Sequence, residues 1–280
     1  MIGTGRKVLE IGPGSGHMTQ ALAHRDCDVT CIEIDESPVS KARSFCQRMI
    51  IGDVEQLNLE NVFARERFDV VLLGDVLEHL RAPDRLLRKL PQVLRPFGCL
   101  VVSLPNVAHA SVRLALLSGD FTYSDEGLLD RTHLRFFTLR SIVALFREAG
   151  YEIRAMRRIR VGFFDTDVRL SIENVALGTL RKLLRDPEAS TYQFVLRAEM
   201  SEETAARRSA ETDGEVFSDR TWSIRTERKK LAQSLMRKGR ALLQDKNYRE
   251  ARAWLYRSFM LRPRFRTLRY LIAACVRGPS

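Results

Sequence analysis

Asp75, Glu78 and His79 stand three and four positions apart, and His109 and His133 follow within the next 54 residues. On a helical turn, positions separated by three and four share a face, so these two carboxylates and one imidazole would meet. The run from Val8 to Gly16, Val-Leu-Glu-Ile-Gly-Pro-Gly-Ser-Gly, is the second reactive pattern. Apolar Val8, Leu9 and Ile11 lead into Gly12, Gly14 and Gly16, and Met18, Leu22 and Ala23 then repeat at helical spacing. Strand, glycine turn and helix in that order make a corner for a phosphate or a nucleoside. A dinucleotide fingerprint needs Gly-x-Gly-x-x-Gly, and His17 stands where its third glycine would be.

These patterns need a scaffold, and the chain supplies alternating short apolar runs and helical stretches. Asp28–Ile34 reads as a second strand, closed by Glu33, 21 residues after Gly12. An acid at that place accepts both hydroxyls of a ribose. A helix is expected from Pro38 to Gln47, and a third strand over Met49–Ile51 ends at Gly52-Asp53. Phe68–Leu73 is the most apolar strand and runs into Asp75. A helix follows over Asp84–Leu94, kinked at Pro91, then a strand over Cys99–Leu104. Residues 107–137 read as a polar, aromatic-bearing insertion. Thr138 caps a helix carrying Ile142, Leu145 and Phe146, with Gly150 past its end. Strands Tyr151–Ile159 and Thr191–Ala198 bracket a second insertion with a helix around Val175–Leu184. The pattern predicts an α/β fold with a doubly wound, mostly parallel seven-stranded sheet and a C-terminal helical tail. Gly12–Gly16, Glu33, Asp53 and Asp75 then fall at the carboxyl ends of its strands, where such sheets bind ligands.

The formal net charge of +11 is unevenly placed. Residues 1–160 carry 22 basic and 20 acidic groups, and residues 161–219 carry 7 and 12. Residues 220–280 carry 17 and 3, so the basicity belongs to the C-terminal segment. We expect a domain over 1–199, a linker over 200–219 that is poor in large apolar residues, and a basic helical tail over 220–280. In that tail Gly239, Ala251, Leu255, Ser258 and Pro263 match one tetratricopeptide-like hairpin. No apolar run approaches a transmembrane span, and no signal peptide is visible. Five cysteines (Cys27, Cys31, Cys46, Cys99 and Cys275) form no Cys-x-x-Cys pair, which points to reduced thiols and a cytoplasmic protein.

Gly-x-Gly-x-Gly preceded by Glu10, the strand-end Glu33, Gly52-Asp53 and the Asp75–His79 segment resemble, in order and spacing, the class I S-adenosylmethionine (SAM) methyltransferases. The resemblance covers residues 6–198. It implies SAM as cofactor, with Glu10, Gly12, Gly14, Gly16 and Glu33 at the loop and ribose, Asp53 at the adenine amino group, and Asp75 beside them. The runs Leu104–His109 and Gly127–Thr138 resemble methyltransferases of bacterial polysaccharide and O-antigen gene sets, and so imply a sugar or glycan hydroxyl as acceptor. Ubiquinone-biosynthesis O-methyltransferases and small-RNA 3′-terminal methyltransferases carry a similar Glu-x-x-Glu-His segment that binds a divalent cation. The RNA enzymes add a downstream histidine, to which His133 corresponds. Here Asp75 replaces the first glutamate. Many members also have a helix or two before the glycine loop that closes over SAM, where this chain has seven residues before Val8.

The cofactor supplies most of the reactivity, and the protein aligns the acceptor and removes its proton. Three readings of the acid–histidine residues stand side by side. Asp75, Glu78, His79 and His133 hold a divalent cation such as Mg that activates the hydroxyl. Alternatively, His79 or His133 acts alone as general base, Asp75 being counted with them among the catalytic residues. Or the acids cap a helix and the histidines are satisfied in the core. Phe121, Tyr123, Phe136, Phe137, Arg131 and Arg135 are candidates for the acceptor pocket. A phenol or quinol acceptor, an RNA substrate reached through the basic tail, and a non-catalytic interaction protein are the rival functions. The near-neutral first 160 residues argue against nucleic acid. An anionic surface or a protein partner is the expected contact of the tail.

Overall fold

The computed structural model describes residues 1–37, 40–168, 175–201, 224–245 and 248–261. Pro38, most of the expected linker, Pro263 and Cys275 lie outside the described residues. The described residues form two compact units. The first comprises Met1–Val107, Asp130–Ile159 and the strand from Tyr192; the second comprises Ala108–Leu129, Arg160–Thr191 and the C-terminal helices.

The first unit is built on a seven-stranded sheet of order β3-β2-β1-β4-β5-β7-β6. Its strands are β1 (Lys7–Ile11), β2 (Asp28–Glu33), β3 (Arg48–Ile51), β4 (Phe68–Gly74), β5 (Leu94–Pro105), β6 (Tyr151–Arg160) and β7 (Thr191–Met200). β1 to β5 pair in parallel, and β7 runs antiparallel to β5. The strand order reverses between β1 and β4, which is the doubly wound arrangement expected. Alternation along the central strands divides their side chains between two faces. Leu9, Ile11, Val71, Leu73, Leu100 and Val102 share a core with Leu86, Leu87, Ile142 and Phe146. Val8, Val29, Cys31, Val70, Leu72 and Val101 pack with Leu22 on the other face. Burial on both faces explains why β4 is almost continuously apolar.

The helices are α1 (His17–Ala23), α2 (Ser40–Arg43), α3 (Leu59–Phe63), α4 (Pro83–Lys89), α5 (Ala110–Leu117), α6 (Leu139–Glu148), α7 (Leu177–Arg185), α8 (Ile224–Gln244) and α9 (Tyr248–Leu261). Thr138 caps α6 as expected: its Oγ1 accepts Ser141 N–H, and Ser141 Oγ accepts Thr138 N–H. Three expectations are corrected, and one helix was missed. α4 ends at Lys89, and Pro91 sits inside a 3-10 turn (Leu90–Gln92), where a missing N–H does least harm, instead of kinking a longer helix. α1 buries Thr19 and Leu22, leaving Met18 half exposed. α3, capped by Asn58, was not foreseen. Residues 107–137 are less polar than read, because α5 buries Ala110, Val112, Leu114 and Ala115.

In the second unit, Ala110 and Leu114 of α5, Phe163, and Leu180, Leu183 and Leu184 of α7 share one core with Ala232 and Leu235 of α8 and Trp254 of α9. α8 and α9 cross closely at Gly239, where a Cβ would come within 2.6 Å of Leu255. Ser258 Oγ donates to the Ala232 carbonyl at 2.6 Å. Among the described residues no helix is long and apolar enough to cross a membrane.

Candidate active site

The glycine turn explains itself residue by residue. Gly12 and Gly16 have φ of 70° and 79°, and both are packed: a Cβ would meet Val76 at 2.8 Å and the Ala42 backbone at 2.7 Å. Gly14, at φ 49°, has nothing within 4 Å of its Cβ position, so its bare backbone faces open space. Glu33, at the end of β2, is buried, and its carboxylate accepts Gly14 N–H at 3.0 Å and Ile34 N–H at 2.7 Å. The strand-end acid thereby tethers the loop. Asp53, after β3, accepts Glu55 N–H at 2.9 Å and Gln56 Nε2–H at 2.8 Å.

Gly12, Glu33, Asp53, Asp75 and His79 line one cavity of about 880 Å3, together with apolar Ile11, Ile34, Val54 and Val76. Glu55 fixes its wall by accepting the Arg81 and Ala82 N–H groups at 3.1 and 2.8 Å, at the entry to α4. Glu10 stands apart from this cavity. It is buried beside Cys31, whose thiol lies 3.9 Å from Glu10 Oε2, and burial pushes its carboxyl up to about 7.

The acid–histidine residues divide. Asp75 follows β4 with φ 54°, a left-handed backbone uncommon outside glycine. Ser103 Oγ on β5 accepts Asp75 N–H at 3.1 Å and donates to Asp75 Oδ1 at 3.0 Å. Gln193 Nε2 on β7 donates to the same carboxylate oxygen. The helical turn expected over Asp75–His79 is a 3-10 turn confined to Leu77–His79, so Asp75 lies outside it. Glu78, His79 and His133 do come together, with one ligand atom from each within 4.8 Å of the others. The His79 and His133 rings meet edge to face at 4.8 Å. Glu78 is fully buried, and neither carboxylate oxygen has a hydrogen-bond partner among the described residues. Burial, and then the negative charges of Asp75 and Asp130, push its carboxyl up to about 8. The Glu78 carbonyl accepts Leu134 N–H at 2.8 Å and Arg135 N–H at 2.9 Å, which brings the His133 segment to the turn.

His109 is a structural residue. It is buried at the start of α5, its Nδ1 accepts Ser111 N–H at 3.2 Å, and its Nε2 donates to the Val161 carbonyl at 3.0 Å. His17 and His24 are exposed, as expected. Sequence reasoning missed Ser103, Thr132 and Gln193. Asp130-Arg131-Thr132 carried a signal, since Asp two residues before Thr favours a side-chain-to-backbone turn, whereas Ser103 and Gln193 carried none.

The cavity lies at the switch between β1 and β4, which makes this a Rossmann-like protein of the nucleoside-cofactor class. Residues 2–156 match the family model described as a methyltransferase domain, over half of the chain, and the chain belongs to that family, as a SAM-dependent methyltransferase. It is 31% identical over 157 residues to the ubiquinone biosynthesis O-methyltransferase of Pseudomonas aeruginosa, covering 54% of this chain and 66% of that one. With the same enzyme of Pseudomonas entomophila it shares 30% over 189 residues, covering 64% and 79%. The chain thus spans about two thirds of the length of the first of these relatives. Among solved structures, a SAM-dependent methyltransferase from Methanosarcina mazei aligns with a TM-score of 0.49 at 16% identity, covering 70% of this chain and 92% of that one.

Proposed function

We propose that the chain moves the SAM methyl group to a hydroxyl of a small acceptor. The glycine loop, Glu33 and Asp53 hold the cofactor, and Glu78, His79 and His133 manage the acceptor's proton. In that step the methyl–sulfur bond breaks and a carbon–oxygen bond forms. The hydroxyl proton passes to an imidazole or carboxylate of the cluster, and S-adenosylhomocysteine leaves. The observation that carries this reading is Glu78: a fully buried carboxylate with no hydrogen-bond partner for either oxygen among the described residues, set against two imidazoles, one of which lines the cavity.

A carboxylate so placed requires a proton or a cation. One carboxylate and two imidazoles fit a divalent ion, and this mixed donor set suits Zn, Mn or Fe(II) better than the Mg of the first expectation, which prefers oxygen ligands. Glu78, His79 and His133 would hold it, and it would supply Lewis acidity that lowers the pKa of an acceptor hydroxyl. Asp75, its carboxylate engaged by Ser103 and Gln193, is assigned to the acceptor or cofactor side of the cavity and not to the ligand set. Glu10, outside the cavity lining, is not assigned to the cofactor.

The relatives' names favour a phenol or quinol acceptor. The glycan acceptor, and with it a place in polysaccharide biosynthesis, rests on the resemblance over Leu104–His109 and Gly127–Thr138. The free cysteines support a cytoplasmic setting. The charge of residues 220–280 supports contact with an anionic surface or a protein partner. The test is transfer of labelled methyl from SAM to a catechol and to a panel of monosaccharides, with zinc, manganese or chelator, in wild type and Glu78→Gln. Catechol methylation that falls about 100-fold or more in Glu78→Gln, at unchanged SAM affinity, is expected. Equal turnover in the two proteins would overturn the assignment of Glu78.

A further inference from the structure

A neutral imidazole carries a proton on one ring nitrogen and a lone pair on the other, and its neighbours decide which. His79 Nδ1 lies 3.2 Å from the Thr132 carbonyl oxygen and 3.2 Å from the Thr132 hydroxyl oxygen. A carbonyl only accepts. The hydroxyl proton is already committed, because Thr132 Oγ1 lies 2.6 Å from Asp130 Oδ1. The same Asp130 oxygen accepts Thr132 N–H at 2.7 Å. Although burial pulls the other way, these two Thr132 donors hold the Asp130 carboxyl below its ordinary value. An ionised Asp130 has no proton to give, so the Thr132 hydroxyl turns its hydrogen to Asp130 and a lone pair to the ring. Both oxygens facing Nδ1 therefore accept.

We propose that Asp130 and Thr132 are a positioning pair that fixes His79 as the Nδ1–H tautomer and so presents its Nε2 lone pair to the cluster with Glu78 and His133. The arrangement is a carboxylate–imidazole pair relayed through one hydroxyl. Asp130 polarises the Thr132 O–H, and the Thr132 oxygens then receive the ring N–H. Partners of this kind set ring orientation and raise the basicity of the opposite nitrogen, whether that nitrogen serves as ligand or as base. The segment is held from a second side as well, because Leu134 N–H and Arg135 N–H donate to the Glu78 carbonyl, within the same 3-10 turn as His79. The use of Nε2 rests on the proposed function; the tautomer does not.

Two readouts separate those parts. Ring-nitrogen NMR of the chelated full chain, with the His79 signals identified by their loss in His79→Gln, reports the tautomer directly. Zinc titration by calorimetry reports the cluster. Wild type is expected to show an N–H signal at Nδ1 and a lone-pair signal at Nε2. Thr132→Val and Asp130→Asn are expected to mix the tautomers and to weaken zinc about 10- to 100-fold, and Thr132→Ser to restore both. A wild-type lone pair at Nδ1 would overturn the proposal. So would Thr132→Val and Asp130→Asn spectra identical to wild type. If zinc fails to bind wild type while the spectrum shows Nε2 bare, the positioning pair is supported and the cation reading of the cluster falls.

Discussion

Glu33 offers the sharpest test of how the cofactor is held. One of its carboxylate oxygens takes Gly14 N–H at 3.0 Å and the other takes Ile34 N–H at 2.7 Å. A ribose presents two hydroxyls, and a carboxylate has lone pairs enough to accept both while keeping a backbone donor. Hydrogen bonds to a charged group contribute about 1.5–3 kcal/mol each. Glu33→Ala removes two of them, about 3–6 kcal/mol, which is roughly a 100- to 10,000-fold loss of SAM affinity at about 1.4 kcal/mol per decade. Glu33→Gln keeps one acceptor oxygen and should lose about 10- to 100-fold. Its single oxygen can serve Gly14 or Ile34 but not both, so a modest drop in melting temperature should accompany the loss. Calorimetric titration with SAM, with NAD as the control ligand, measures the effect. If Glu33→Ala bound SAM within threefold of wild type and melted at the same temperature, the assignment of Glu33 to the ribose would be refuted.

The glycines should separate by what surrounds them. Gly16→Ala drives a Cβ to 2.7 Å from the Ala42 backbone at φ 79° and should abolish measurable SAM binding, whereas Gly14→Ala meets open space and bears only the left-handed cost of about 1–2 kcal/mol. Paired thermal melts and SAM titrations distinguish these outcomes. His109, which burial keeps neutral by lowering its imidazole to about 4, gives a pH prediction. Between its ordinary value of about 6.5 and 4, the unfolded chain holds a proton that the folded chain lacks, so stability is full above about pH 6.5 and falls on acidification. The slope is about 1.4 kcal/mol per pH unit, roughly 3 kcal/mol in all. Hydrogen exchange across α5 at several pH values should show it, and His109→Gln should flatten the dependence.

The glycine-loop side of the candidate site was legible because its determinants are local. Three glycines that need positive φ, an acid closing β2 and an acid following β3 announce themselves in short windows, and parallel register then aligns them. The acid–histidine cluster was only half legible. Glu78 and His79 are adjacent in sequence, but His133 reaches them through backbone bonds from Leu134 and Arg135 to the Glu78 carbonyl, which no spacing encodes. Asp75 shows the opposite failure. Its spacing suggested a shared helical face, yet its carboxylate is claimed by Gln193, 118 residues away, across a strand pair. Tertiary partners also hid α5: the apolar residues of Ala110–Leu117 make sense only beside Phe163, Leu180 and Leu184, which sit in a later insertion.

That shared core of α5, α7, α8 and α9 has a consequence for synthesis. A chain emerging from the ribosome releases Leu114 about 140 residues before Trp254, its partner in the core. At about 5–20 residues per second, the apolar face of α5 therefore waits roughly 7–28 s for its last neighbours. The sheet has no such wait for β1 to β4, whose neighbouring strands are complete by Pro105. The nascent chain thus carries paired early strands together with an α5 whose apolar face is still uncovered. A stalled or prematurely terminated chain would bear the same exposed face and become a natural client for chaperones or proteases.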